Sequence, residues 1–316
     1  YVEASLNRCG KSQEDFDSWS ISTLGEGIAR HFMIPYNRKM WAIEPCRLTC
    51  EWMGRFFPDT NPVEIIKGAF SPGTREVGYN VQFFYPRDGG IEILPNSLAS
   101  RLRGVACNKR AIKIDLEKRN IYFQDGSSCS YAGLISTIPL PQLILRLTPL
   151  PRSIRKAASR LLYTSVLDVN LGLNIRDLTD KHWVYVPEPE IPFYRIGFPH
   201  NFSRSLVPRG KTSLYAEVSY RSAYPGKKES LVRDVISGMR KMGFSISGSD
   251  VEVAKVMDMK YAYVIYDSNR KKSLEVINEF LEANGIRTAG RFGSWSYFAM
   301  EDSIREGISA AESFFH

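Results

Sequence analysis

A chain of 316 residues with 43% apolar and 12% aromatic content can bury a large core and is expected to form two or more domains. Its 42 Lys+Arg against 34 Asp+Glu give a formal charge of +8, which points to an anionic partner. The longest basic run is Arg270-Lys271-Lys272 and aromatics do not interleave with basic residues, which argues against nucleic acid. No apolar run reaches membrane-spanning length, and nothing at the N-terminus resembles a signal peptide. Cys9, Cys46, Cys50, Cys107 and Cys129 have neither C-x-x-C spacing nor a His partner at ligand spacing, so reduced thiols, no metal site and a cytoplasmic location are expected.

The chain starts at Tyr1 inside an acidic, helix-like segment without an initiator Met, and further sequence upstream is expected. Residues 13–33 place Phe16, Trp19, Leu24, Ile28 and Phe32 near helical spacing, interrupted by Gly25 and Gly27, which predicts two short helices. Pro35 disfavours helix at Ile34, so 34–41 reads as a turn. Another helix covers about 47–57, and 77–86 has a strand-like aromatic pattern. Asp88-Gly89-Gly90 breaks that pattern and opens an amphipathic helix over 90–102. Residues 111–115 and 120–123 form a hairpin-like pair, Asp125-Gly126 turns toward a buried strand over 134–139, and a basic helix follows at 151–161. Strands at 164–174, 182–187, 193–198, 212–220 and 251–266, with one helix at 227–242, predict an antiparallel sheet covered by a helix on one face. A helix at 272–284 precedes the C-terminal stretch.

That last stretch, 288–311, reads as a strand ending at a turn lined by Gly290 and Gly293, where backbone must approach something closely, with a ligand the economical choice. The helix after it carries Ile304, Ile308, Ala311 and Phe315 on one face and the small residues Ser303, Gly307 and Ala310 on the other. A strand, a glycine turn and a helix N-terminus together favour an anion or an electron-rich ring.

Only four histidines are present, and no hydrolase, kinase, zinc-protease or phosphate-loop motif occurs, so an enzyme of this composition would depend on a cofactor. In their place stand Trp183-Val184-Tyr185, Phe193-Tyr194-Arg195, Tyr261-Ala262-Tyr263 and Trp295-Ser296-Tyr297. Strand alternation puts Trp183 with Tyr185, and Tyr261 with Tyr263, on common faces, where rings and an arginine fork suit a nucleotide base and a diphosphate. Buried core aromatics are the alternative for each pair.

Phe16-Asp17-Ser18-Trp19, Gly27 through Ala42, Lys181 through Arg195 and Gly290-Arg291-Phe292-Gly293-Ser294-Trp295 resemble UDP-galactopyranose mutases, the eukaryotic type especially, within the FAD proteins that include amine oxidases and protoporphyrinogen oxidases. The resemblance implies a mixed α/β and α+β fold, in which an incomplete Rossmann-like FAD domain (87–142 and 267–316) is interwoven with an antiparallel-sheet substrate domain (143–266). Residues 1–57 would be its helical part and 58–86 a strand segment. It implies that Arg195 and Arg55 clamp a diphosphate, with Tyr263 and Tyr297 donating to it, Trp183 and Tyr185 beside the sugar, and Asn80 near its hydroxyls. Gly89, Gly90, Gly290, Arg291, Gly293, Asp302 and Ser303 would hold FAD, and no catalytic residue beyond the flavin is assigned. The implied reaction isomerises UDP-galactopyranose to UDP-galactofuranose through reduced flavin, with NAD(P)H the expected reductant, a role in cell-surface polysaccharide synthesis, and self-association left open.

Three features depart from the family pattern. The G-x-G-x-x-G turn is absent and expected upstream, Tyr263-Val264-Ile265-Tyr266-Asp267 replaces Tyr-Pro-x-Pro-Thr, and Phe202 stands in place of a Tyr; Arg55 aligns with a one-residue slip. Two further functions are kept open: an FAD-dependent oxidase or dehydrogenase, and a polyanion-binding module without flavin.

Overall fold

The computed structural model describes residue 4, residues 15–54, residue 57, residues 62–70 and residues 83–314. In chain order it contains α1 (Phe16–Leu24), α2 (Ile34–Trp41), α3 (Pro62–Phe70), α4 (Ile93–Ala99), β1 (Ala111–Asp115), β2 (Asn120–Phe123), β3 (Ser128–Ser130) and β4 (Leu134–Ser136). Then follow α5 (Leu140–Ile144), β5 (Leu147–Thr148), α6 (Arg152–Ser159), β6 (Tyr163–Leu173), β7 (Trp183–Tyr185), β8 (Arg195–Gly197) and β9 (Thr212–Tyr220). The chain ends with α7 (Leu231–Lys241), β10 (Val251–Val264), α8 (Arg270–Ala283), β11 (Ile286–Thr288) and α9 (Met300–Glu312). It divides into two compact units, Tyr1–Arg101 with Thr164–Ala262, and Leu102–Tyr163 with Tyr263–His316.

The first unit is built on a five-stranded sheet in the order β10-β6-β9-β8-β7. The β6–β9, β9–β8 and β8–β7 pairings are antiparallel, as the sequence expectation for this sheet has it. Alternation divides it cleanly. Leu167, Val169, Leu171, Ala216, Val218 and Ile196 point to one face, where Leu231, Val235 and Met239 of α7 close a buried core. The opposite face is polar and aromatic, and α2 ends upon it. Thr164 Oγ1 donates to the Trp41 carbonyl at 2.7 Å and Ser219 Oγ to that of Met40 at 2.8 Å, which satisfies acceptors at the helix C-terminus.

The entry to α2 differs from the sequence expectation of a turn over 34–41. Ala29–Met33 is a π-helical turn that runs directly into α2, and Pro35 sits in the first turn of that helix, where its missing N–H costs no α-helical bond. Asn37 Nδ2 donates to the Met33 carbonyl at 2.8 Å, and its oxygen accepts from the buried Trp41 indole at 3.0 Å. Lys39 reaches the carbonyls of Val186 and Glu188, both at 2.8 Å, and burial lowers its pKa to about 8. Three other expectations shorten. Among the described residues, the helix expected over 47–57 gives way to a 3-10 turn at Pro45–Arg47, a turn at 51–53 and a 3-10 position at Gly54; 83–86 of the strand expected over 77–86 are not in a strand, residues 77–82 lying outside the described residues; and the helix expected over 90–102 is confined to α4.

The second unit has a four-stranded mixed sheet in the order β3-β2-β1-β5 and a parallel pair of β4 with β11. The hairpin expected at 111–123 is present as the antiparallel β1–β2 pair, and β1 runs parallel to β5. Leu140, Leu143, Ile144 and Leu147 are buried here, as are Ile154 of α6 and Ile277 and Leu281 of α8. The strand expected over 134–139 is limited to β4, and Ile135 is exposed instead of buried. In α9, Ile304 and Ile308 are exposed, Ala310 of the small face is buried, and a Cβ at Gly307 would meet nothing within 4 Å. The side that turns inward is set by hydrogen bonds: Glu306 accepts from the Gly290 N–H at 2.9 Å and from the Ser294 hydroxyl, while Asp302 caps the Ala299 N–H at 2.7 Å.

Candidate functional site

On the polar face of the first unit, strand register sets out two adjacent rows. Tyr185, Arg195, Glu217 and Asp168 lie side by side across β7, β8, β9 and β6, and the next row holds Trp183, Gly197, Tyr215 and Asn170. Tyr215 lies across Gly197 so closely that a Cβ there would meet its ring at 2.1–2.4 Å. Only a residue without a side chain leaves room for the ring at this position.

Arg195 is the cation of the first row. Its Nε and Nη2 both bond Glu217, the second at 2.7 Å, in the side-on geometry that fixes the guanidinium plane. Asp168 accepts from Asn170 Nδ2 at 2.8 Å through one oxygen, and its other oxygen is buried without a hydrogen-bond partner. Burial raises the Asp168 pKa to about 6; Glu217 adds to the rise, while Asn170 and Arg195 oppose it.

Aromatic side chains border these rows. Tyr36 of α2 stands edge-on to Tyr185 at 5.1 Å, and Trp183 stacks on Phe202 at 6.0 Å with Phe83 also at 6.0 Å from Trp183. Gly89 adopts φ +75° and donates to Ser205 Oγ at 2.9 Å, so the Gly89-Gly90 turn is fastened to the loop after Phe202.

In the second unit, Tyr263, Tyr297 and Arg291 meet. The two rings lie 5.9 Å apart and the Arg291 guanidinium sits 5.7 and 5.1 Å from them, oriented by two hydrogen bonds to the Phe298 carbonyl. Below them, buried Trp295 takes a left-handed φ of +51°, and its carbonyl is gripped by Nε and Nη2 of buried Arg270 at 3.0 and 2.5 Å. Gly293 does make the close approach expected of it, with the chain's own backbone: a Cβ there would lie 2.8 Å from the Ser136 carbonyl oxygen.

Of the residues singled out from the sequence, Trp183, Tyr185 and Arg195 therefore share one sheet face, and Tyr263, Tyr297 and Arg291 form one cluster. Gly89 and Gly90 lie in a turn bonded to Ser205, Gly290 opens a short helix over Gly290–Gly293 where a glycine turn is expected and donates to Glu306, and Asp302 and Ser303 lie in the first turn of α9, bonded to Ala299. Arg55 and Asn80 lie outside the described residues. Glu217, Asp168, Asn170 and Tyr215 were not singled out, although the alternation Leu167-Asp168-Val169-Asn170 and Tyr215-Ala216-Glu217-Val218 carries the signal for a polar face inside two apolar strands.

A flavin needs flat surface for its ring system and cations or N–H groups for its phosphates. Arg291, its guanidinium held by the Phe298 carbonyl, supplies such a cation, and the rings of Tyr263 and Tyr297, implied to donate to the substrate, lie beside it, so the residues present fit such a group. The chain belongs to the family of flavin-containing amine oxidoreductases, whose model matches residues 10–313. Among solved structures, a reduced UDP-galactopyranose mutase is similar over 99% of this chain and 70% of its own, with 26% identity and a TM-score of 0.91. A protein named for protoporphyrinogen oxidase, from Exiguobacterium sp., matches 99% of this chain and 70% of its own at 15% identity and TM-score 0.69. A CLA-producing fatty acid isomerase from P. acnes matches 96% of this chain and 67% of its own at 14% identity and TM-score 0.64. The last two share the fold. No helix among the described residues is long and apolar enough to cross a membrane.

Proposed function

We propose that the chain is a flavin-dependent isomerase that converts a UDP-hexopyranose to the corresponding UDP-hexofuranose. The observation that carries this reading is the likeness to the reduced mutase across 99% of the chain at a TM-score of 0.91, well above the other two. When bound, reduced FAD would supply the nucleophile at the anomeric carbon, with NAD(P)H as reductant. The chain's own part is binding and orientation. Arg195, its plane fixed by Glu217, offers charge-assisted hydrogen bonds to a diphosphate, and Trp183 and Tyr185 flank it. Tyr263, Tyr297 and Arg291 supply ring surface and donors. Arg55 and Asn80 complete the proposed substrate set, while Gly89, Gly90, Gly290, Gly293, Asp302 and Ser303 shape the backbone beside the cofactor. Cytoplasmic synthesis of a cell-surface polysaccharide precursor is the role that follows.

A second reading, an FAD-dependent oxidase or dehydrogenase, is favoured by the family's amine oxidoreductase description and by the Arg195 charge being met by Glu217. The protein with dithionite-reduced FAD should interconvert UDP-galactopyranose and UDP-galactofuranose, followed by chromatography. Absence of turnover with reduced flavin, together with oxygen consumption on an amine substrate and indifference to UDP, would overturn the mutase reading in favour of the second.

A further inference from the structure

The first row of the sheet face holds more than an arginine. Arg195 is half-buried, 28% exposed at its side chain, and its partner Glu217 is 10% exposed, so the pair is formed largely away from water. Asp168 follows in the same row, opposite Glu217 in strict strand register. Two carboxylates beside one guanidinium give the row no net charge when one carboxyl is protonated, and one negative charge when both are ionised.

We propose that Glu217 is the positioning residue that holds Arg195 side-on for an anionic ligand, and that Asp168 sets how strongly this row accepts that anion. The inference rests on the diphosphate reading of Arg195 and adds to it a determinant of affinity on a neighbouring strand. Glu217 takes Nε and Nη2, which fixes the direction of the guanidinium plane without rotamer loss at the moment of binding. Asp168 has one oxygen on Asn170 and the other buried with no partner, an arrangement that costs free energy for an ionised carboxylate and less for a protonated one. The charged groups around it are Glu217 on β9 and Arg195 on β8. On its other side lies β10, whose Asp258 bonds Tyr220 and Lys228 on the opposite, apolar face of the sheet. With its pKa raised to about 6, Asp168 loses its proton as pH climbs through that value. An anion at Arg195 therefore meets a neutral row below it and a negative row above it.

The test uses two probes without titrating groups in this range, UDP-galactose and sulfate, with affinity measured by calorimetry between pH 5 and pH 8. The Arg195 Nε–H resonance is followed by NMR. In the wild-type protein, affinity should fall about tenfold across the range, the linkage of one pKa unit. Asp168→Asn should bind with the acid-limit affinity at every pH. Glu217→Gln should move the midpoint to lower pH, because Asp168 loses its like-charged neighbour, and should lose the protected Arg195 Nε–H signal. A pH dependence seen with sulfate but no binding of UDP-galactose would refute the UDP-sugar reading and leave the row's role standing. Affinity independent of pH in wild type, a pH profile unchanged by Asp168→Asn, or no response of Arg195 to either anion would overturn the inference.

Discussion

Replacing Gly293 by Ala asks whether the close approach at this turn is made to the protein itself. An added Cβ would lie 2.8 Å from the Ser136 oxygen and 3.3 Å from the Thr137 Cα, about 0.6 Å inside ordinary contact with the first. Neither atom can swing aside as a side-chain tip would. The Ser136 carbonyl is fixed by the Ala289 N–H at 3.1 Å, and Ser136 is paired with Thr288 in the β4–β11 ladder. Overpacking of this kind costs about 1–3 kcal/mol, and loosening that hydrogen bond adds about 1 kcal/mol, so a loss of about 2–4 kcal/mol is expected. Urea unfolding of three variants separates the causes. Gly290→Ala has open space but φ +77°, and should lose about 1–2 kcal/mol from backbone strain alone. Gly307→Ala, within α9 and with nothing within 4 Å, should gain about 0.5–1 kcal/mol. If Gly293→Ala unfolds like wild type without flavin and loses only cofactor affinity, the contact assigned to Ser136 is not what requires glycine here.

Arg195→Ala should weaken UDP-galactose binding by about 2–4 kcal/mol, because it removes a charge-assisted donor and leaves Glu217 uncompensated; unchanged affinity in calorimetry would remove the diphosphate assignment. Gly197→Ala forces the Tyr215 ring out of its place over the strand, so the near-UV circular dichroism should change while unfolding shifts by only about 1–2 kcal/mol, since a ring can turn where a backbone cannot. Asp168→Asn should raise stability above pH 6. The wild-type carboxyl holds its proton more tightly folded than its ordinary value of 3.8, so stability declines as pH rises from about 4 to about 6. Allowing for its partial exposure, the variant should gain about 1–2 kcal/mol at pH 8 and nothing at pH 4, read from urea midpoints. An advantage that is the same at both pH values would contradict the burial argument.

The middle of the first unit's sheet is legible because β6 and β9 are long and alternate. β9 falls on the 212–220 segment read from the sequence, and the helix expected over 227–242 is present as α7 on the sheet's apolar face. Pattern reading failed where one residue outweighs periodicity. Pro35 disfavours helix at Ile34 in the sequence pattern, although the wide turn before it lets the helix start there. Glu217 and Asp168 carry little signal in the sequence, because single acidic residues within apolar runs gain meaning only when cross-strand register places them beside Arg195. In α9 the apolar periodicity of Ile304 and Ile308 pointed one way and the capping and Glu306 hydrogen bonds turned the helix another.

The π-helical turn at Ala29–Met33 carries a geometrical consequence. It contains one residue more than an α-helical turn would use, and in an α-helix one residue corresponds to a rotation of about 100°. The same side chains entering α2 without that extra residue would all be dialled round by that angle, carrying Tyr36 away from Tyr185 and Lys39 away from the carbonyls at 186 and 188. The bearing of a whole helix over the arginine row is thus decided by a single inserted peptide unit, upstream of every residue that meets the sheet.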